Sequence, residues 1–143
     1  MSWNSSILKG SVQDGWIDSN GHMNIVYYIH ILDQGTTLLV SRLKESLRES
    51  KDRNLRVVIR KLSIHFRKEL KRGEQWWLRM EIQNVLRDRA HLRMQILSTE
   101  SIHAVTNIEI VFIDELGSHL VIGDVLTKQH IDELIFETCV EGV

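Results

Sequence analysis

The chain has 143 residues, of which 43% are hydrophobic and 26% charged, with 18 basic side chains against 19 acidic ones. This length suits one globular domain spanning 1–143, and a net charge of −1 argues against nucleic-acid binding. No apolar run approaches the ~20 residues a membrane helix needs, the first six residues lack a basic-then-apolar leader, and Cys139 has no second cysteine to pair with. The expectation is a cytoplasmic protein with no membrane partner.

From Ile7 to Ile17 apolar and polar residues mix as a strand allows, with a weak signal. Asp18-Ser19-Asn20-Gly21-His22 is a turn by chemistry, because Asx side chains bond nearby backbone and glycine tolerates positive φ. A helical period follows at Ile25, Tyr28, Ile29, Leu32, Thr36, Leu39 and Leu43. Gly35 interrupts it at about 1 kcal/mol relative to alanine, which suggests that a sheet approaches the helix closely there. Lys44 to Arg56 is charged and reads as a helix end and loop.

Beyond Arg56 the period becomes two. Leu62, Ile64 and Phe66 form one apolar row; Leu78, Met80 and Ile82 a second; Leu92, Met94 and Ile96 a third. Arg87-Asp88-Arg89 reads as a hairpin turn, and a last long strand runs from Ile102 to Ile113. This is an antiparallel meander with one apolar face. Trp76 and Trp77 fall on opposite faces of one strand. Thr127 to Phe136 reads as a short helix capped by Thr127, with Ile131, Leu134 and Ile135 inward. One long helix covering one sheet is an α+β layering.

The chemistry concentrates in Asp18-Ser-Asn20-Gly21-His22-Met-Asn24, an acid, an amide and an imidazole in a glycine turn just ahead of a helix. A helix start offers unpaired N–H groups and partial positive charge, which polarise a carbonyl oxygen as it becomes negative. A neighbouring carboxylate activates water or attacks an acyl carbon. These parts suit acyl transfer to water, and a thioester suits them because its leaving group is good. The same residues also serve as plain turn and capping groups.

With Tyr27-Tyr28 and the aliphatic helix behind it, this run resembles hotdog-fold thioesterases of the 4-hydroxybenzoyl-CoA type. The resemblance continues through Leu62-Ser-Ile-His-Phe-Arg-Lys-Glu69-Leu70, Gly73-Glu74 and the paired strands to Asp114. Within that superfamily, the small-acyl thioesterases of betaine and carnitine metabolism look closest. The resemblance implies a hotdog fold, an acyl-CoA substrate, no cofactor beyond the substrate's own coenzyme A, no metal, and a homodimer or tetramer with sites at a subunit junction. Asp18 would be nucleophile or general base. The N–H near Ile25 would polarise the carbonyl, with Gly21, Asn24, Ile25 and Tyr28 against the substrate. Plant acyl-ACP thioesterases carry Asp, Asn and His at the spacing of Asp18, Asn20 and His22, and a catalytic glutamate where Glu69 follows Arg67-Lys68. On that template Asn20, His22 and Glu69 join the catalytic set. In a regular strand the parity of Glu69 would turn it away from the helix-covered face, and a bulge or strand end would reverse that.

Of the seven histidines, His65, His91 and His103 share one sheet face by parity, read as solvent-facing residues rather than metal ligands. Arg67, Lys68, Lys71, Arg72, Arg87, Arg89 and Arg93 are either a dock for CoA phosphates or a solvated face. Cys139 has no adjacent histidine and does not read as a nucleophile. The alternatives are an acyl-ACP thioesterase, a hotdog dehydratase whose histidine spacing is missing here, and a non-catalytic acyl-CoA-binding domain.

Overall fold

A computed structural model describes residues 6–46, 55–121, 128–135 and 139–143. The elements run β1 (Ser6–Ser11), α1 (Ile25–Ser46), β2 (Arg56–Phe66), β3 (Gln75–Val85), β4 (Arg89–Leu97), β5 (Ile102–Ile113), α2 (Lys128–Ile135) and β6 (Val140–Glu141). The strands form one six-stranded sheet in the order β2-β5-β4-β3-β1-β6. All pairings are antiparallel except that of β6 with β1. The first strand is shorter than the sequence suggests: it ends at Ser11, and a 3-10 turn at Asp14–Trp16 follows.

α1 lies against the face built from Leu78, Met80 and Ile82 of β3, Leu92, Met94 and Ile96 of β4, and Ala104, Ile108, Ile110 and Phe112 of β5, all buried. Each of these side chains larger than alanine contributes roughly 1.5–3 kcal/mol when fully buried. Gly35 decides how the helix is rotated. A Cβ there would stand 2.2 Å from Leu78 Cδ2, so glycine is what permits the close approach. The buried stripe is therefore Tyr28, Ile31, Leu32, Gly35, Thr36, Leu39 and Leu43. Ile25 and Ile29, which the period placed inward, are 58% and 38% exposed. Trp76 is buried and Trp77 half-buried, on opposite faces as the alternation requires.

β2 departs from the half-buried strand its alternation suggests. It pairs with β5 along one edge, and Val58, Ile59, Leu62 and Phe66 are all more than 40% exposed. Being last in the sheet, it lies beyond most of the cover that α1 supplies. Ile131 and Ile135 of α2 are buried as expected. The expected cap Thr127, the residue Phe136, the side chain of Leu134 and most of the loop after α1 lie outside the described residues. No helix among the described residues is long and apolar enough to cross a membrane.

Candidate active site

The turn before α1 is closed by bonds within its own few residues. Ile17 and Met23 form an isolated antiparallel bridge. Asp18 N–H donates to His22 O at 2.9 Å, and Gly21 N–H donates to Asp18 O at 3.0 Å. Gly21 takes φ +81°, a left-handed conformation that favours glycine. The Asp18 carboxylate completes the turn: its Oδ1 accepts the N–H of Asn20 at 2.9 Å and of His22 at 3.3 Å. Asp18 is thus a turn residue through one oxygen. Among the described residues its Oδ2 has no hydrogen-bond partner.

The helix cap is Asn24. Its Oδ1 accepts Val26 N–H at 3.0 Å, and its backbone oxygen accepts Tyr27 N–H at 3.0 Å. Just before these satisfied donors, the Ile25 N–H has no acceptor among the described residues. It is one of the orphan donors that every helix start presents.

A cavity of about 510 Å³ opens here, with two walls. Asp18, His22, Met23, Asn24, Ile25 and Tyr28 form one; Phe66, Arg67, Lys68 and Glu69 form the other. His22 Nε2 lies 3.0 Å from Glu69 Oε2 and joins the walls. The parity that aimed Glu69 away does not apply, because β2 ends at Phe66 and Glu69 lies beyond it. Asn20 and Gly21 are exposed on the turn and are not among the cavity's lining residues.

Tyr28 lines the cavity with its ring edge-to-face on Phe66, centroids 5.2 Å apart. Its hydroxyl accepts the Leu70 N–H at 3.0 Å. Burial pushes that phenol up, against the pull of the Leu70 N–H, and Glu69 and Glu74 raise it further. Tyr28 is therefore a neutral group.

The basic residues do not gather at one place. Arg67 and Lys68 line the cavity, whereas Arg72 pairs with Asp14 at 3.6 Å and Arg89 with Asp88 at 2.9 Å. Asp88 also bonds His119 at 2.6 Å; Arg89 and then His119 hold its carboxyl well below the usual range. On the same outer face, His91 bonds Glu109 at 2.9 Å and lowers that carboxyl. Burial pushes the Cys139 thiol up, which makes it a poor thiolate. Among the described residues no group of three or more His, Cys, Asp or Glu is arranged to hold a metal ion.

His103 departs from the sequence reading. Its parity is that of the outer face, yet it is 1% exposed, with Nδ1 2.9 Å from Lys68 O and Nε2 2.7 Å from Ser98 Oγ. The segment after β2 and the β4–β5 turn cover this end of the strand. Alternation along β5 carries no sign of that cover.

The sequence profile described as the thioesterase-like superfamily matches residues 12–128. The probable thioesterase YbaW from Escherichia coli superposes with a TM-score of 0.75 at 15% identity, over 89% of this chain and 96% of its own. Slr0204, a 1,4-dihydroxy-2-naphthoyl-CoA thioesterase from Synechocystis, gives a TM-score of 0.66 at 14% identity, over 90% and 93%. SAV2348 from Staphylococcus aureus, solved in complex with CoA, gives 0.67 at 17% identity, over 76% and 69%. No curated protein sequence matches. The shared architecture is the α+β hotdog fold, as the sequence implies.

Proposed function

Because this chain belongs to the thioesterase-like superfamily, we propose that it is an acyl-CoA thioesterase, hydrolysing the thioester to a carboxylate and free coenzyme A with Asp18 as base or nucleophile. The observation that carries this reading is a shared space. Asp18, Ile25 at the helix start and the His22–Glu69 pair all border one cavity large enough for an acyl group.

In this reading Asp18 holds the turn through Oδ1 and uses Oδ2 on water or on the acyl carbon. The Ile25 N–H, at the positive end of α1, stabilises the carbonyl oxygen as it gains charge. Met23, Tyr28 and Phe66 offer apolar contact to the acyl group. Arg67 serves the CoA phosphates better than Lys68, whose Nζ is engaged by Ser101 Oγ at 3.2 Å. Small acyl groups are the favoured substrates, on the likeness of the Asn20-Gly21-His22-Met23 turn and the Arg67-to-Leu70 segment to the betaine and carnitine enzymes. The protein acts in the cytoplasm. A second copy pairs along the free edge of β2, which exposes Leu62 and Phe66, the latter lining the cavity.

One observation favours a second mechanism. Asp18 Oδ1 is taken by two turn N–H groups, while the imidazole–carboxylate pair of His22 and Glu69 faces the same cavity. In that case Glu69 orients His22 as the base, closer to the acyl-ACP template.

The test is free-thiol release over a panel of short, long and aromatic acyl-CoAs, with Asp18→Asn and Glu69→Gln alongside. Loss of turnover in Asp18→Asn supports the first mechanism. Full turnover in Asp18→Asn with loss in Glu69→Gln transfers the role to the pair. Acyl-CoA binding without thiol release by the natural protein overturns the enzyme reading in favour of a binding domain. Sedimentation of a monomer at micromolar concentration would remove the β2 pairing.

A further inference from the structure

Glu69 reaches the cavity from a stretch with no regular structure, so something other than strand or helix must hold it there. The peptide unit is planar, so the Lys68 carbonyl, the Glu69 nitrogen and the Glu69 Cα move as one body. His103 grips that body. A carbonyl only accepts, so at the 2.9 Å contact Nδ1 carries a hydrogen and donates it to Lys68 O. Nε2 is hydrogen-bonded to Ser98 Oγ at 2.7 Å. The His103 backbone oxygen adds to the hold by accepting Arg67 N–H at 2.9 Å and Lys68 N–H at 3.4 Å.

The next peptide plane is held from the opposite side. Its N–H belongs to Leu70, which is buried, and donates to Tyr28 Oη at 3.0 Å. One grip comes from β5, the other from α1. Glu69 is the residue between them, and its carboxylate lies 3.0 Å from His22.

We propose that His103 and Tyr28 are paired positioning residues, pinning the two peptide planes that flank Glu69 so that its carboxylate is held against His22. Neither acts on the substrate in this role. What the clamp accomplishes rests on the thioesterase reading above with the His22–Glu69 pair in its mechanism; that the clamp holds Glu69 does not.

The experiment therefore has an arm that needs no activity. The backbone amide order parameters at Glu69 and Leu70 are measured by ¹⁵N relaxation in the natural protein, His103→Leu, His103→Gln and His103→Asn. Asn places a donor where Nδ1–H stands. Gln reaches toward Ser98 and loses Lys68. If His103→Leu fails to fold, His103→Gln carries the comparison. The expected result is a fall from about 0.85 to below about 0.6 at Glu69 in the Leu and Gln variants. The amides of β3 and β4 stay rigid, and Asn restores order. Unchanged order at Glu69, or loss spread evenly over the sheet, overturns the clamp.

The second arm is thiol release. His103→Leu is expected to lower kcat roughly 100-fold, the scale of a 1 Å misplacement, with KM within about twofold and with recovery in His103→Asn. In a Glu69→Gln background the same change is expected to lower kcat no further, because the group being positioned is already disabled. An equal loss in both backgrounds overturns the positioning role. An inactive natural protein whose Glu69 is loosened by His103→Leu removes the thioesterase reading and leaves the clamp standing.

Discussion

The two walls of the cavity are built in opposite ways. Within the 18–24 turn the bonds of Asp18 run to Asn20, Gly21 and His22, and Asn24 caps Val26 and Tyr27 just ahead of it. Facing it, residues 67–70 are held by His103 and Tyr28, which lie 35 and 42 positions away from their partners Lys68 and Leu70. The turn of the first wall is closed by bonds between residues near in sequence. The second wall is held only once α1 has packed on the sheet that contains β5. Chemistry at Asp18 is therefore separable from folding, whereas loss of the His103 or Tyr28 contact is expected to cost order at the second wall.

The sharpest way to break the contrast is Asp18→Asn. Asparagine Oδ1 accepts the same two turn N–H groups, so the melting midpoint in thermal unfolding is expected to stay within a few degrees of the natural value. Thiol release from a cognate acyl-CoA is expected to fall about 10²- to 10⁴-fold, the range of general acid–base or nucleophilic assistance. A large loss of stability with intact turnover would reverse the assignment of the two roles.

The hold on the other wall is broken by Tyr28→Phe, which removes the acceptor of the Leu70 N–H, and Leu70 is fully buried. The expected cost is about 1–3 kcal/mol, the desolvation penalty of an unpaired buried donor, read from urea unfolding, together with a fall in kcat. Asn24→Ala returns to the local wall. Loss of the cap on Val26 is expected to cost about 0.5–2 kcal/mol, with the order of residues 67–70 unchanged by ¹⁵N relaxation.

The smallest effect belongs to a site on neither wall. Arg89 and His119 hold the Asp88 carboxyl below its ordinary range, so it binds its proton less readily in the folded state than in the unfolded one. Its stabilisation is therefore complete above the ordinary aspartate range near pH ~4 and is lost as the pH falls through that range and below. Asp88→Asn is expected to flatten the acid limb of a stability–pH curve and leave thiol release at neutral pH unaltered.

Legibility in the sequence follows the same division. The Asp18-to-Asn24 turn, the helix behind it and the alternating strands β3, β4 and β5 are readable because each is encoded by residues within one or two turns of chain. The rotation of α1 is not, since Ile29 and Ile31 satisfy a helical period equally well. Only the approach of Leu78 to Gly35 selects the stripe that includes Ile31. β2 carries the alternation of a half-buried strand, and its exposure comes from its place at the edge of the sheet. Parity misdirects Glu69 because the strand stops at Phe66, and it misdirects His103 because a distant segment covers the strand's first turn-facing end.

By itself, then, the sequence determined the α+β layering and the local turn that presents Asp18 ahead of a helix. Hydrophobic period and turn chemistry are short-range properties, written in neighbouring residues. Tertiary structure alone decided that Glu69 meets His22 and that His103 is buried. Those contacts join residues 47 and 35 positions apart, and their energy appears only after the chain between them has folded.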